Sequence, residues 1–434
     1  MSYLIIQGNK KLHGEILNQS AKNSAVALLC ASVMIRGQTT LTEVPHIEEV
    51  ERIIELLTSI GVKIKRIGPK ELAIDATADL DMEKINRPAA EAVRSSILLW
   101  GALAAREKEY KLYKSGGCRL GNRTVRPHWY ALDKFGIKVE SKENFYLVKS
   151  ESWRAAKVVM YESGDTTTEN TIMAAALAPG KSTIKMASAN YMVQDLCYFL
   201  RAAGAKIKGI GTTTLEIEGV SELAPVKNYP IMPDPIVAMT YLSAGIVTGS
   251  EITVQNCPLE FLELELCKLE IMGQKFELKN KRKSQNGFFD LADIKIFPSK
   301  LSALPDKIYG RPFPGLNIDN LPLFVPILTQ AQGRTLVHDW AYENRAVYYS
   351  ELQKLGAKIT LLDSHRVWVE GPTELKAGDM TAPAALRPAV NFLICMLAAT
   401  GESVLHNIYA INRGYEDLYE NLNKAGAQIK IIKE

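Results

Sequence analysis

The sequence predicts an α/β protein assembled from six copies of one βαβαββ unit, three copies in each of two domains. Three observations lead there. A glycine stop recurs six times, a uniformly apolar helix precedes each stop, and a proline-rich segment divides the six copies evenly.

The stops are "LTSIGVKI", "LDKFGIKV", "LRAAGAKI", "LEIMGQKF", "LQKLGAKI" and "LNKAGAQI", with glycines at Gly61, Gly136, Gly204, Gly273, Gly356 and Gly426. A leucine stands four residues before each. Counting back from the glycine, apolar residues tend to recur at −11, −8, −7, −4 and −1, as in Val50, Ile53, Ile54, Leu57 and Ile60. That spacing is one face of a helix, and the glycine is its C-terminal stop. The residues after each stop, such as "AKIT" or "VKIK", alternate like a strand; a turn and a second strand such as "HRVWVEG" follow. Upstream lie "SAVALLCASVMI", "SSILLWGALAA", "NTIMAAALA", "PIVAMTYLSAGIV", "PLFVPILTQ" and "AVNFLICMLAAT". Helices that are apolar all round are buried. A short strand such as "TTLTEV" links the two helices of each repeat.

"VSELAPVKNYPIMPDP" (220–235) separates the repeats three and three. The expected domains are therefore 22–229, and 1–21 with 230–434, joined by a hinge near 220–235. A continuous solenoid is the alternative. The fourth interval, the longest, holds an insertion at roughly 280–321 with "YGRPFPGLNIDNLP", and long loops in compact domains are usually functional.

Composition narrows the function class. The chain has 434 residues, 47% apolar and 23% charged, with a net charge of +4. That charge is too small for a nucleic-acid footprint. The basic run "NKRK" (280–283) reads as a solvated loop. No apolar stretch reaches the ~18 residues of a membrane span, and the N-terminus lacks a signal peptide's core, so a cytoplasmic protein without membrane partners is expected. The six cysteines form no CxxC pair and the histidines show no metal-ligand spacing. Cys30, Cys197, Cys267 and Cys395 in helical runs, and Cys257 before a proline, read as buried small hydrophobes. Cys118, in "KSGGCRLGNR", sits instead among glycines and basic residues.

The repeats act as their own control. At −13 from the stop, where other repeats carry Glu48, Tyr191, Glu260 and Glu343, two carry Arg123 and Arg413; at −11 one carries Arg345. Arginine at a helix N-terminus opposes the helix dipole. It is explained by an anion held between such residues or by a carboxylate brought from elsewhere. Lys22, Arg94 and Arg387 begin apolar helices, where an uncompensated charge is costly. His128 breaks the apolar −8 position.

The motifs "SAKNSA", "RSS", "GGCRLGNR", "TEN", "YENR" and "INRGYEDL", in this order, resemble the enolpyruvyl transferases over essentially the whole chain. The resemblance implies a two-domain inside-out α/β barrel with a cleft between domains, and no organic cofactor. It implies transfer of the enolpyruvyl group of phosphoenolpyruvate to a hydroxyl of a sugar-nucleotide acceptor, with release of phosphate. The branch acting on UDP-N-acetylglucosamine in peptidoglycan synthesis fits better than the shikimate branch, which lacks the loop cysteine. By the same resemblance Lys22, Arg123 and Arg413 contact phosphoenolpyruvate, Arg94, Arg345 and Arg387 line the same cleft, Asn23 touches the acceptor and His128 lies near the cleft. Cys118 is the proton donor on a glycine-hinged lid, its pKa lowered by nearby arginines. Asp319 in "FPGLNIDNLP", where the family usually reads "FPTD", is the base; a helix N-cap is its rival role. A monomer is expected.

The acceptor side departs from the family. "RTVRPH" puts Arg126 where an aspartate reads uracil, "GDTTT" (164–168) replaces the "SVGAT" turn that holds a diphosphate, and Ala385 stands where an acid is usual. Asp165 would repel a diphosphate. A different acceptor, such as a nucleoside phosphate or another sugar, and a non-catalytic relative therefore stand as alternatives. Keeping Cys118, Asp319, Lys22 and Arg413 together argues against the last.

Overall fold

A computed structural model describes residues 2–115 and 124–433; Cys118 and Arg123 lie outside the described residues. The fold is α/β, with six separate sheets among the described residues. The chain divides into two compact halves, one of residues 20–115 and 124–232, the other of residues 2–19 and 233–433.

All six stop glycines take positive φ, between 80° and 104°. This is the left-handed conformation that ends a helix and costs any other L-residue its Cβ clearance. The amphipathic helices they close include Glu48–Ser59, Tyr191–Ala202 and Glu263–Ile271. After each of the first five comes a two-stranded antiparallel hairpin, for example Lys358–Asp363 with Arg366–Gly371, and after Gly426 comes the single strand Gln428–Ile432.

The sheets share one plan. In the fifth repeat, Ile308–Tyr309 runs parallel to Gly333–His338, which pairs antiparallel with Arg366–Gly371, which pairs with Lys358–Asp363 at the other edge. Four other sheets repeat that order, and the second-repeat sheet shows three strands among the described residues. Three sheets are completed from distant sequence. Tyr3–Gln7 inserts between Glu402–His406 and Gln428–Ile432. Glu15–Leu17 joins Ile252–Pro258, and Tyr229–Pro230 joins Gln38–Thr42.

The uniformly apolar helices form the core of each half. In Pro235–Val247 and Leu321–Leu328 every residue is buried. No helix among the described residues is long and apolar enough to cross a membrane. The second repeat departs from the pattern. Its apolar run is a 3-10 turn, Arg94–Leu98, leading into a single α-turn, Leu99–Ala102. There the Gly101 N–H donates to Asn170 Oδ1 at 2.8 Å, and a Cβ on Gly101 would lie 2.2 Å from the Asn170 carbonyl oxygen. Gly101→Ala is expected to cost about 1–3 kcal/mol by overpacking. A lowered urea midpoint would report it, and an unchanged midpoint would mean that the two elements can part freely.

Two sequence expectations are corrected. "NKRK" lies in the strand Phe276–Lys283 rather than in a loop, and Arg282 reaches Asp293 at 2.7 Å. Its exposure on an edge strand gave it the composition of a loop. The first part of the expected insertion is thus this long hairpin, Phe276–Lys283 with Asp290–Ile296, and the segment with "YGRPFPGLNIDNLP" follows it. Cys267 is exposed, unlike Cys30, Cys197, Cys257 and Cys395. It stands at −6 from Gly273, off the apolar face of its helix.

Candidate functional site

In the half made of residues 20–115 and 124–232, Lys22 pairs with a buried acid and Arg94 lies beside a serine that bonds to the same acid. Lys22 is the first residue of the helix Lys22–Ser32, and its ammonium lies 3.1 Å from Glu49 Oε2. The other oxygen of Glu49 accepts from Ser95 Oγ at 3.2 Å, next to Arg94. Arg94 itself reaches the Thr124 carbonyl at 3.4 Å. Both Lys22 and Glu49 are about nine-tenths buried, so their charges compensate each other at the start of an apolar helix. Asn23 donates to Tyr191 Oη at 3.0 Å. Glu49 was missed in sequence: it neighbours Glu48, and only the fold shows that Glu48 faces Arg52 on the surface while Glu49 turns inward.

His128 is buried and its ring is fixed by protein groups. Asn170 Oδ1 accepts from the Gly101 N–H, and Asn170 Nδ2 donates to the Ile97 carbonyl at 3.0 Å. That amide orientation makes Nδ2 the donor to His128 Nδ1, also at 3.0 Å. A neutral ring therefore carries its proton on Nε2, which faces Thr166 Oγ1 at 3.5 Å.

Asp165 opens the helix Asp165–Ala176, and its carboxylate accepts from Ser188 Oγ at 2.6 Å and Asn190 Nδ2 at 3.2 Å. An acid here suits the positive end of the helix. Arg126 begins the helix Arg126–Lys134 and is exposed.

In the other half, Asp319 meets two arginines. Its oxygens lie 3.5 Å from Arg345 Nη1 and 3.9 Å from Arg387 Nη2. Asp319 does not cap the following helix; that position belongs to Asn320, whose side chain makes no capping bond. Arg345 is 1% exposed and leads the helix Arg345–Ser350, against the dipole. The compensating anion is Asp339, equally buried, which takes both Nε and Nη2 and also accepts from Tyr349 Oη at 2.6 Å. Arg345 Nη2 donates as well to the Ile318 carbonyl at 2.6 Å, and its guanidinium lies over the Tyr342 ring. Asp339 ends a strand with no sequence signal of its own. Arg387 Nη1 donates to Tyr415 Oη at 2.7 Å. Tyr415 in turn donates to Thr240 Oγ1 at 2.8 Å, because that hydroxyl is already committed to the Ile236 carbonyl.

Arg413 differs from expectation. Instead of opening the last amphipathic helix, it caps the C-terminal end of the short helix Tyr409–Asn412, and the amphipathic helix begins at Leu418. A positive φ at Asp417 separates the two. A cation at a helix C-terminus is favourable, so the dipole argument does not apply to Arg413. Among the described residues no cluster of His, Cys, Asp or Glu could hold a metal ion.

The family model for EPSP synthase (3-phosphoshikimate 1-carboxyvinyltransferase) matches residues 6–422. A curated UDP-N-acetylglucosamine 1-carboxyvinyltransferase of Campylobacter lari is 34% identical over 435 residues, covering all of both chains. One of Bacteroides fragilis is 31% identical over 441 residues, again end to end. Among solved structures, the enolpyruvyl transferase NikO from Streptomyces tendae matches with a TM-score of 0.87 at 21% identity, covering 100% of this chain and 99% of that one. An EPSP synthase from Acinetobacter baumannii matches with a TM-score of 0.76 at 18% identity over the whole of both chains.

Proposed function

Because the chain belongs to the EPSP synthase family and is a carboxyvinyl (enolpyruvyl) transferase, we propose that it transfers the enolpyruvyl group of phosphoenolpyruvate to a hydroxyl of UDP-N-acetylglucosamine, releasing phosphate. The observation that carries the acceptor is the end-to-end likeness, at 31–34% identity, to relatives named for that substrate.

The chemistry asks for an acid and a base. Cys118 protonates the methylene carbon of the donor, which leaves the neighbouring carbon open to attack. The acceptor oxygen bonds to that carbon as Asp319 takes the hydroxyl proton. The thiolate then recovers a proton from the new methyl group as the C–O bond to phosphate breaks, restoring the double bond as an enol ether. Lys22, Arg94, Arg123, Arg345, Arg387 and Arg413 supply the charge and hydrogen bonds for a donor that carries both phosphate and carboxylate, and Asn23 contacts the acceptor. The position of the Asp319 carboxylate between Arg345 and Arg387 supports its role, since the two guanidinium groups hold the oxygens in a fixed place beside the cations proposed to bind the donor.

A second reading keeps the reaction and changes the acceptor. It is favoured by Asp165, whose negative charge is anchored by Ser188 and Asn190 where the resemblance expects a diphosphate. Phosphate release from phosphoenolpyruvate, assayed with a panel of acceptors, separates the two. Release with UDP-N-acetylglucosamine supports the first reading. Release only with another sugar nucleotide or a nucleoside monophosphate overturns it for the second, and no release with any acceptor overturns both.

A further inference from the structure

Glu265 stands eight residues before the stop glycine Gly273. At this position the other repeats carry Ile53, His128, Leu196, Tyr348 and Leu418, so Glu265 and His128 are the two that break the apolar face. Both are buried, at 2% and 3% exposure. Both bond to the opening of the next repeat's apolar helix: His128 to Thr166 and Asn170, Glu265 to the residues before Leu321–Leu328. A carboxyl group in an apolar face is retained only if it gains hydrogen bonds there.

What Glu265 holds is the turn that carries Asp319. Its Oε1 accepts from the Asn317 N–H at 3.3 Å and from Asn320 Nδ2 at 2.8 Å, the two ends of a four-residue segment. Inside that segment the Asp319 N–H donates to Asn317 Oδ1 at 2.8 Å, and the Ile318 carbonyl is taken by Arg345. The amide oxygen of Asn320 is buried and accepts no hydrogen bond from the described residues, so the bond to Glu265 sets the orientation of that side chain. Burial pushes the Glu265 carboxyl up to about 7, with the bonds from Asn320 and Asn317 pulling the other way. An oxygen that accepts is present in both protonation states, and a glutamine would supply one too.

We propose that Glu265 is a positioning residue for the transfer reaction: by gripping both ends of the Asn317–Asn320 turn it fixes the Asp319 carboxylate against Arg345 and Arg387. The inference rests on the reading of Asp319 as the base. Glu265→Leu gives this repeat the side chain that two others carry, and Glu265→Gln keeps the accepting oxygen. Each is made in the native chain and in Asp319→Ala, and steady-state phosphate release is measured with the acceptor that the panel identifies. Glu265→Leu is expected to lower kcat about 10–100-fold with KM for phosphoenolpyruvate within about twofold, the size of loss that a misplaced group causes. Glu265→Gln is expected to stay within about threefold of the native kcat, and Glu265→Leu to add nothing in Asp319→Ala. Asn320→Ala cuts the same bond from the other end and reports the same loss should Glu265→Leu not fold. An unchanged kcat in the folded Glu265→Leu or Asn320→Ala protein, an equal further loss in Asp319→Ala, or a Glu265→Gln protein as slow as Glu265→Leu overturns the inference while Asp319 stands. Native turnover in Asp319→Ala alone overturns the base, and the positioning role with it.

Discussion

Asp319→Ala is expected to lower kcat by about 10³-fold, in the middle of the range for losing a general base. The carboxylate is a quarter exposed and contributes no cap to its helix, so its removal leaves the turn held by Glu265 and by the Ile318–Arg345 bond. Arg345 keeps its paired bonds to Asp339, so no bare buried charge is created there. Fold and turnover should therefore separate: circular dichroism and the urea midpoint close to native, phosphate release nearly abolished. Asp319→Asn should be as slow, because an amide accepts a hydrogen bond but takes no proton. Turnover within tenfold of native in both variants would remove Asp319 from the reaction.

The largest stability effect is expected at Arg345. Arg345→Met replaces a guanidinium that is 1% exposed and leaves the Asp339 carboxylate, equally buried, with Tyr349 as its remaining bond among those described above. Breaking a buried pair from one side costs about 3–5 kcal/mol, because the remaining charge has been desolvated without its partner. Lysine restores the charge but not the two parallel N–H bonds, so Arg345→Lys is expected to recover only part of the loss. Urea unfolding of the three proteins measures this. A midpoint for Arg345→Met equal to that of the native chain would mean that water reaches Asp339. Adding Asp339→Asn to Arg345→Met should restore stability in part, since the stranded charge is then gone.

The α/β class and its six repeats could be read from the sequence because two strong local signals coincide at each repeat. One is a glycine in a conformation that other residues avoid; the other is a helix face with apolar spacing. The strands that complete the sheets could not be read. Tyr229–Pro230 and Glu15–Leu17 are two and three residues long, too short for any periodicity to declare itself. Of the site, Lys22, Arg345 and Arg387 were singled out because each is a charge in an apolar or dipole-opposed place, a conflict visible in one dimension, whereas Asp319 came from the resemblance. Their partners Glu49 and Asp339 were not, because an acid beside another acid or after a strand breaks no local rule. Arg413 misled for the opposite reason: its distance from Gly426 matched the repeat, but the helix is interrupted at Asp417. Glu265 was accessible to the same argument that found His128, since it violates the same −8 position.

The pairing of Tyr3–Gln7 with Glu402–His406 and Gln428–Ile432 bears on how the nascent chain folds. Tyr3–Gln7 leaves the ribosome long before the two strands that flank it in its sheet. Residues 20–115 and 124–232 pair their described strands among themselves and can consolidate during synthesis, while the sheet of Tyr3–Gln7 waits until Gln428–Ile432 has been made. During that wait the apolar edge of Tyr3–Gln7 is open to chaperones and to like strands on neighbouring polysomes.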